Sequence, residues 1–251
     1  MRVKNQTPHC KFGEQGVCCR ICSMGPCRIT PKAPRGICGC DVHGIVGRNF
    51  LRFTAGGAAT HSDHGREICI TLGHAKEGGD YQVKDPEKLI RIAKEWGVET
   101  EGKDIYDLAH EMSDLAQEEY GKIRGVSRWL KRAPQHTQDL WHAAGIEPRA
   151  IDREVSCALH MTHMGNTSKP EALIRQALRN GLSDGWGGSM CGTEFSDVLF
   201  GTPKPIDTEA NLGVMNAENV NIVVHGHDPS LSEMICEYAD SKEMIDYAKS
   251  V

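Results

Sequence analysis

The sequence has no long apolar run. Nowhere does it reach the roughly 18 consecutive apolar residues that cross a bilayer, and 25% of its residues are charged, so a soluble globular chain with no membrane span is expected. The opening MRVKNQTPHC lacks the apolar core and small-residue cleavage site of an export signal. A cytoplasmic location is therefore expected, and with it reduced thiols. Internal repeats and low-complexity segments are missing too. Only one CxxC occurs, Cys19 to Cys22, which argues against a zinc ribbon, whose two knuckles each give two thiolates to one tetrahedral ion.

What the sequence has is cysteine. Seven of its eleven cysteines fall between residues 10 and 40, in CKFGEQGVCCRICSMGPCRITPKAPRGICGC. At 251 residues the chain can bury a core without disulfide staples, so metal or redox chemistry is the better reading of the cluster. A short CxxC, another cysteine a few residues on and a more remote fourth is the style of a cubane iron–sulfur site, where each thiolate binds a different iron. Cys19, Cys22, Cys27 and Cys38 have that spacing, with Cys40 as the alternative to Cys38 for the fourth ligand.

The vicinal pair Cys18-Cys19 adds a second inference. On extended backbone neighbouring side chains point to opposite faces, so if Cys19 faces the cubane, Cys18 is turned away from it. Cys18 and the upstream Cys10 make half of a four-cysteine site, and a two-fold axis would supply the other half from a second copy. The spacing thus suggests a cluster shared across a homodimer; the alternative is that Cys10 and Cys18 are ordinary buried thiols. Eight basic residues stand against two acidic ones, Glu14 and Asp41, in the first fifty positions of a chain with net charge −5. That local excess suits a net anionic cluster. The basic residues are interleaved with cysteine and glycine and lack the aromatic platforms on which nucleic-acid bases stack, so no nucleic-acid partner is expected.

The string CCRICSMGPCRI followed by PRGICG resembles the cluster-binding segment of the nickel-containing, anaerobic carbon monoxide dehydrogenases. The resemblance continues through GRNFLRFTAGGAATHSDHGRE, DGWGGSMCGTEFSDVLFGTPKP and VNIVVHGHDPSLSEMI. It implies a [4Fe-4S] cluster on Cys19, Cys22, Cys27 and Cys38, and a second iron–sulfur cluster shared by Cys10 and Cys18 of two subunits. It also implies a nickel–iron–sulfur cluster to which HGH contributes an iron-binding imidazole, with His227 favoured over His225. The implied reaction is CO + H2O to CO2, two protons and two electrons, with a ferredoxin-like acceptor. Alternatives are a stand-alone iron–sulfur electron-transfer protein, a partner subunit, or a relative of the hybrid-cluster hydroxylamine reductases.

Three further stretches complete the reading. His61 and His64 stand three apart and share a helix face, a spacing suited to passing protons, although surface or capping histidines space the same way. The resemblance implies a histidine beside the active site at His61 and a ladder for proton exit. Here Glu67 and Ile70 occupy its next rungs, and His74 lies off the face.

Residues 51–205 read as a helical domain after a cluster-binding segment over 1–50. DPEKLIRIAKEW has Asp85 as N-cap and Pro86 at the first helical position. DIYDLAHEMSDLAQEEY carries Ile105, Leu108, Ala109, Met112, Leu115 and Ala116 on one buried face. Ser168 to Glu171 has a capping-box pattern, DGWGGSM reads as a turn between helices, and Trp96, Trp129, Trp141 and Trp186 as packing. NVNIVVHGH followed by SLSEMICEYADSKEMIDYAKS reads as strand, turn and helix, the start of a Rossmann-like α/β domain over 206–251. The fold class expected is thus mainly α, then a truncated α/β start.

The resemblance covers only the front portion of the family sequence. The family's further cysteine ligands and catalytic lysine have no counterpart here, and Cys69, Cys157, Cys191 and Cys236 read as buried thiols. The expectation is electron relay without turnover by these residues alone.

Overall fold

The computed structural model describes residues 2, 4–204, 218, 221, 223–224 and 229–250. The chain divides into two compact units: Met1–Ile70 with Ser113–Gly192, and Thr71–Met112 with Thr193–Val251. Among the described residues the architecture is helical, and its sheet is one two-stranded ribbon. None of the described helices is long and apolar enough to cross a membrane.

The first unit begins with a short helix α1 (Lys11–Glu14), then the antiparallel strands β1 (Cys18–Cys19) and β2 (Cys27–Arg28). Helix α2 (Val42–Gly73) follows. Its start is set by Asp41, whose carboxylate accepts the Gly44 N–H at 2.9 Å, an N-cap that satisfies one of the helix's orphan donors. Helices α6 (Ile151–Thr162) and α7 (Pro170–Ser183) lie against it. Leu51 and Ala55 of α2, Ala158 of α6, and Leu173 and Ala177 of α7 form one apolar cluster. Beside it Glu154, 0% exposed, is held by Arg149 at 2.6 and 2.9 Å and by Gln176 at 2.7 Å. That fork satisfies both carboxylate oxygens, as a buried charge requires. Helix α5 (Gln135–Ala144) ends at Gly145 with φ 66°, the left-handed cap that glycine adopts without strain.

The second unit holds α3 (Pro86–Glu95) and parts of α4 (Ile105–Gly121) and α8 (Met190–Phe200), with α9 (Pro229–Ala239) and α10 (Lys242–Ser250). Asp85 caps α3 by accepting the Lys88 N–H at 2.9 Å, and Pro86 opens the helix. Leu108, Ala109, Met112 and Ala116 are buried on α4 as the periodicity predicts, with Ile105 and Leu115 half-buried. Trp96 meets Phe195 edge to face, centroids 6.2 Å apart. Buried Lys88 pairs with Asp197 at 2.5 Å and Glu194 at 3.4 Å. In the first unit Trp129 is fully buried, and Trp141 packs against Trp186 at 5.9 Å.

Three local expectations are corrected. DGWGGSM is no turn: Asp184–Ser189 is a π-helical segment that runs from α7 straight into α8. Its Gly188 serves close approach, because a Cβ there would lie 2.7 Å from Ile151 Cδ1 and 3.1 Å from His61 Cβ. The capping box at Ser168 does not form; Pro170 fixes the first turn, so the N-cap is Lys169, without a side-chain cap bond. The final helical stretch is two helices, divided at Asp240 and Ser241, where the Ser241 hydroxyl accepts the Met244 N–H at 3.3 Å. His225, His227 and half of NVNIVV (Asn219, Val220 and Ile222) lie outside the described residues, so the strand and turn expected at the Rossmann-like start fall largely there too.

Candidate metal centre and histidine pair

The β1/β2 ladder sorts the vicinal cysteines. Cys19 is paired with Cys27 across the ribbon, whereas Cys18 is paired with Arg28. Since directly opposed residues share a face, Cys19 and Cys27 stand together and Cys18 is turned from them. Cys22 and Cys38 join the first two around a single pocket, whose remaining wall includes Gly25, Gly36, Ile45, Arg48 and Met164. Gly36 lies against Cys27, where a Cβ would make ordinary contact with Sγ at 3.6 Å. Cys10 and Cys18 do not line the pocket. Nor does Cys40, which is 1% exposed and packed on the first turn of α2, where a Cβ at Gly44 would collide with its sulfur. Asn49 of α2 ties the ribbon down, donating to the carbonyls of Gly16 at 3.0 Å and Cys18 at 3.1 Å.

Arg48 gives the pocket its charge. It is 2% exposed, donates through Nε to the Thr167 carbonyl at 2.7 Å and through Nη1 to Cys38 Sγ at 3.4 Å, and its Nη2 is buried with no hydrogen-bond partner. A buried guanidinium with an unused donor calls for an anion. Burial, the largest single influence, opposes ionisation of Cys38, but the Arg48 hydrogen bond and charge together with the backbone N–H groups of Cys40 and Gly165 hold that thiol below its ordinary pKa. Burial pushes Cys19 up. Cys10 lies outside the pocket at the start of α1, fully exposed, and the backbone N–H groups of Gly13 and Phe12 draw its pKa down.

The donor set fits a cubane. Four soft sulfur donors surround a volume, as four irons at separate corners need. Among the described residues no group of three or more His, Cys, Asp or Glu side chains is drawn together closely enough to hold a metal ion. The orphaned Arg48 donor supplies the counter-charge.

Further along α2, His61 Nδ1 is 2.5 Å from Asp184 Oδ1, both side chains about a quarter to a third exposed. Thirteen residues separate Arg48 from His61, so one helix carries both features about 20 Å apart along its axis. His64 is exposed one turn on, with Glu67 exposed and Ile70 half-buried beyond it; His74 follows the end of the helix. On the neighbouring face Asp152 accepts from Ser62 Oγ at 2.5 Å and Arg66 Nη2 at 2.6 Å, which fixes the rotation of α2 around His61. Asp184 was not foreseen from the sequence. It is the first residue of the π segment, and its signal was the glycine run behind it, since π-helical insertions gather at functional sites.

The Prismane/CO dehydrogenase family model matches residues 17–251. Carbon monoxide dehydrogenase 1 of Methanosarcina mazei is 46% identical over 99% of this chain, and carbon monoxide dehydrogenase 1 of Carboxydothermus hydrogenoformans is 43% identical over 95%. A Ni-free carbon monoxide dehydrogenase from Thermococcus sp. AM4 superposes with a TM-score of 0.82 at 47% identity over 99% of this chain. A structure of acetyl-CoA synthase/carbon monoxide dehydrogenase described by its NiZn[Fe4S4] and NiNi[Fe4S4] clusters gives a TM-score of 0.79 at 39% identity over 99% of this chain. The chain spans 40%, 38%, 40% and 38% of the lengths of these four proteins respectively. With likeness in sequence and in structure running through the cysteine pocket, α2 and the π segment, the chain belongs to the Prismane/CO dehydrogenase family.

Proposed function

We propose that this chain is part of an anaerobic nickel-containing carbon monoxide dehydrogenase, which oxidises CO with water to CO2, two protons and two electrons, and that its share of the work is to carry electrons and protons away. The observation that carries the reading is the pocket of Cys19, Cys22, Cys27 and Cys38 around the unpaired donor of Arg48.

In this reading a [4Fe-4S] cluster bound there supplies one-electron transfer. The four thiolates hold it, and Arg48 offsets its negative charge and raises its potential. Cys10 and Cys18, together with the same two residues of a second copy, hold a cluster on the two-fold axis and so make the enzyme a homodimer. Their placement outside the pocket, with Cys10 exposed and its thiol acidified, supports that division.

His61 takes up a proton at Nε2 while Asp184 orients the ring through Nδ1 and stabilises the imidazolium. Exposed His64 releases the proton to solvent. His227 is an iron ligand of the nickel–iron–sulfur cluster, at the start of a Rossmann-like segment over 206–251 that follows the cluster segment 1–50 and the helical stretch 51–205. The protein works in the cytoplasm and delivers electrons to a ferredoxin-like acceptor.

Anaerobic reconstitution tests this directly. The expected content is iron and sulfide for one cubane per chain and one further cluster per dimer. Replacing Cys10 and Cys18 together should remove the shared cluster and weaken the dimer while the cubane signal stays. Stoichiometric zinc without sulfide, or equal loss of both clusters in the double variant, would overturn the assignment.

A further inference from the structure

The first unit contains a second place where cysteines meet, and the proposed function does not use it. Cys69, near the end of α2, and Cys191, in the first turn of α8, are both 0% exposed, and their sulfurs are 3.8 Å apart. The approach is built by glycine. Gly65 lies one turn before Cys69 and Gly192 is next to Cys191, and a Cβ at Gly192 would stand 3.3 Å from the Gly65 Cα. Tyr120 of α4 closes the site. It is 1% exposed, its hydroxyl is buried without an aligned hydrogen-bond partner, and a side chain at Gly65 would collide with it. Arg66 lies over the tyrosine ring at 5.5 Å and is committed to Asp152.

We propose that Cys69 and Cys191 are a redox-modification site, converted to an intrachain disulfide by a two-electron oxidant of the diazene or peroxide class. Two S–H bonds break and one S–S bond forms. Each sulfur gives up one proton and one electron, and a diazene takes up both protons and both electrons as its N=N bond becomes HN–NH. The sulfurs must close from 3.8 Å to about 2.05 Å. The two glycines let the backbones of α2 and α8 approach closely beside the pair, so rotation of the cysteine side chains is the movement available to close it. As neutral thiols the pair leaves iron to the pocket cysteines; as a disulfide it ties α2 to α8. The bond lies two helical turns beyond His61 and seven residues past Asp184, so it clamps the two elements that hold that pair together. This inference does not depend on the proposed function.

The experiment uses the reduced chain with its clusters assembled, treated anaerobically with diamide, alkylated while folded, then digested and mapped by mass spectrometry. The expected product is the Cys69 peptide joined to the Cys191 peptide, with two hydrogens lost and restored by dithiothreitol. A rise in Tm should accompany the link and be absent from Cys69→Ser. Recovery of Cys69 and Cys191 as two separately alkylated or unreacted thiols, or their pairing with Cys157 or Cys236 instead, would overturn the proposal. The mapping on the unmutated chain decides this even if the variant does not fold.

Discussion

Two groups of cysteines in the first unit differ both in burial and in what surrounds them: Cys69 and Cys191 are buried, whereas Cys19, Cys22 and Cys27 are half-buried and Cys38 is exposed. The pocket cysteines face a buried guanidinium with a donor to spare. Cys69 and Cys191 face each other and a tyrosine, and their neighbouring cation is committed elsewhere. The hydrogen bond to Cys191, reinforced by burial, pushes the Cys69 pKa well up, whereas at Cys38 burial is overcome by Arg48 and two backbone N–H groups together, which bring that thiol down. Burial alone therefore does not make a ligand. Sulfurs spread around a volume beside a fixed positive charge are what the proposed thiolate cluster needs, and the pocket has that arrangement.

The largest effect should come from testing that division directly. Cys27→Ala is expected to abolish the cubane, read as loss of its iron, its sulfide and its visible absorption after anaerobic reconstitution, while Cys69→Ala leaves all three unchanged. Within the segment the contrast narrows to two residues. Cys38→Ala should lose the cubane, and Cys40→Ala should keep it and cost only packing, about 1 kcal/mol in denaturant unfolding. Iron loss from Cys40→Ala with retention in Cys38→Ala would reverse the assignment of the fourth ligand.

Removing the cation should come next. Arg48→Met keeps the volume of the side chain and deletes its charge-assisted hydrogen bond, worth about 1.5–3 kcal/mol. For a one-electron couple that corresponds to a fall of about 60–130 mV in the cubane's reduction potential. Redox titration of the reconstituted protein measures it. An unchanged potential would mean that Arg48 is only a strut between α2 and Thr167.

The corresponding change at the dithiol site is Gly65→Ala, whose new methyl group would meet the Tyr120 hydroxyl. Overpacking of this kind costs about 1–3 kcal/mol. It should lower Tm and, by parting α2 from α8, suppress the Cys69–Cys191 link while cubane iron stays constant.

Much of the first site was legible in the sequence because its logic is local. Alternation along two extended residues separates Cys18 from Cys19, and the ladder pairing Cys19 with Cys27 places side chains as that alternation requires. The helix face of α4 and the Asp85 cap were legible for the same reason, since period and capping chemistry are read over a few residues. The unforeseen features are long-range. Asp184 meets His61 across 123 positions, and Cys69 meets Cys191 across 122. Arg48 looked like one basic residue among eight, yet only the fold leaves one of its donors buried and unpaired. The glycines of DGWGGSM misled because glycine marks both turns and close backbone contacts, and only the presence of Ile151 and His61 against Gly188 decides between them. Cys236, expected to be buried, is exposed, since its apolar neighbours do not form a closed core among the described residues.

The smallest expected effect is a dependence of stability on alkaline pH that the pocket cysteines, once committed to a cluster, cannot contribute. Cys69 has a folded-state pKa raised well above its ordinary 9.0. In the unfolded chain the same thiol ionises near that ordinary value, so above about pH 9 the unfolded state loses a proton that the folded state keeps. Unfolding is then favoured as pH rises; the contribution is full below the unfolded value and declines above it, by about 1.4 kcal/mol per pH unit while the folded thiol stays neutral. Tyr120, raised from 10.0 by burial first and then by the two thiols, adds a second decline starting about one unit higher. Urea unfolding of the reduced protein between pH 8 and pH 10 should therefore show a loss of stability that is shallower in Cys69→Ala, with the two curves running parallel below pH 8. Parallel curves for the two proteins between pH 8 and pH 10 as well would mean that water reaches the dithiol, and would remove the distinction between the two cysteine sites on which the other tests rest.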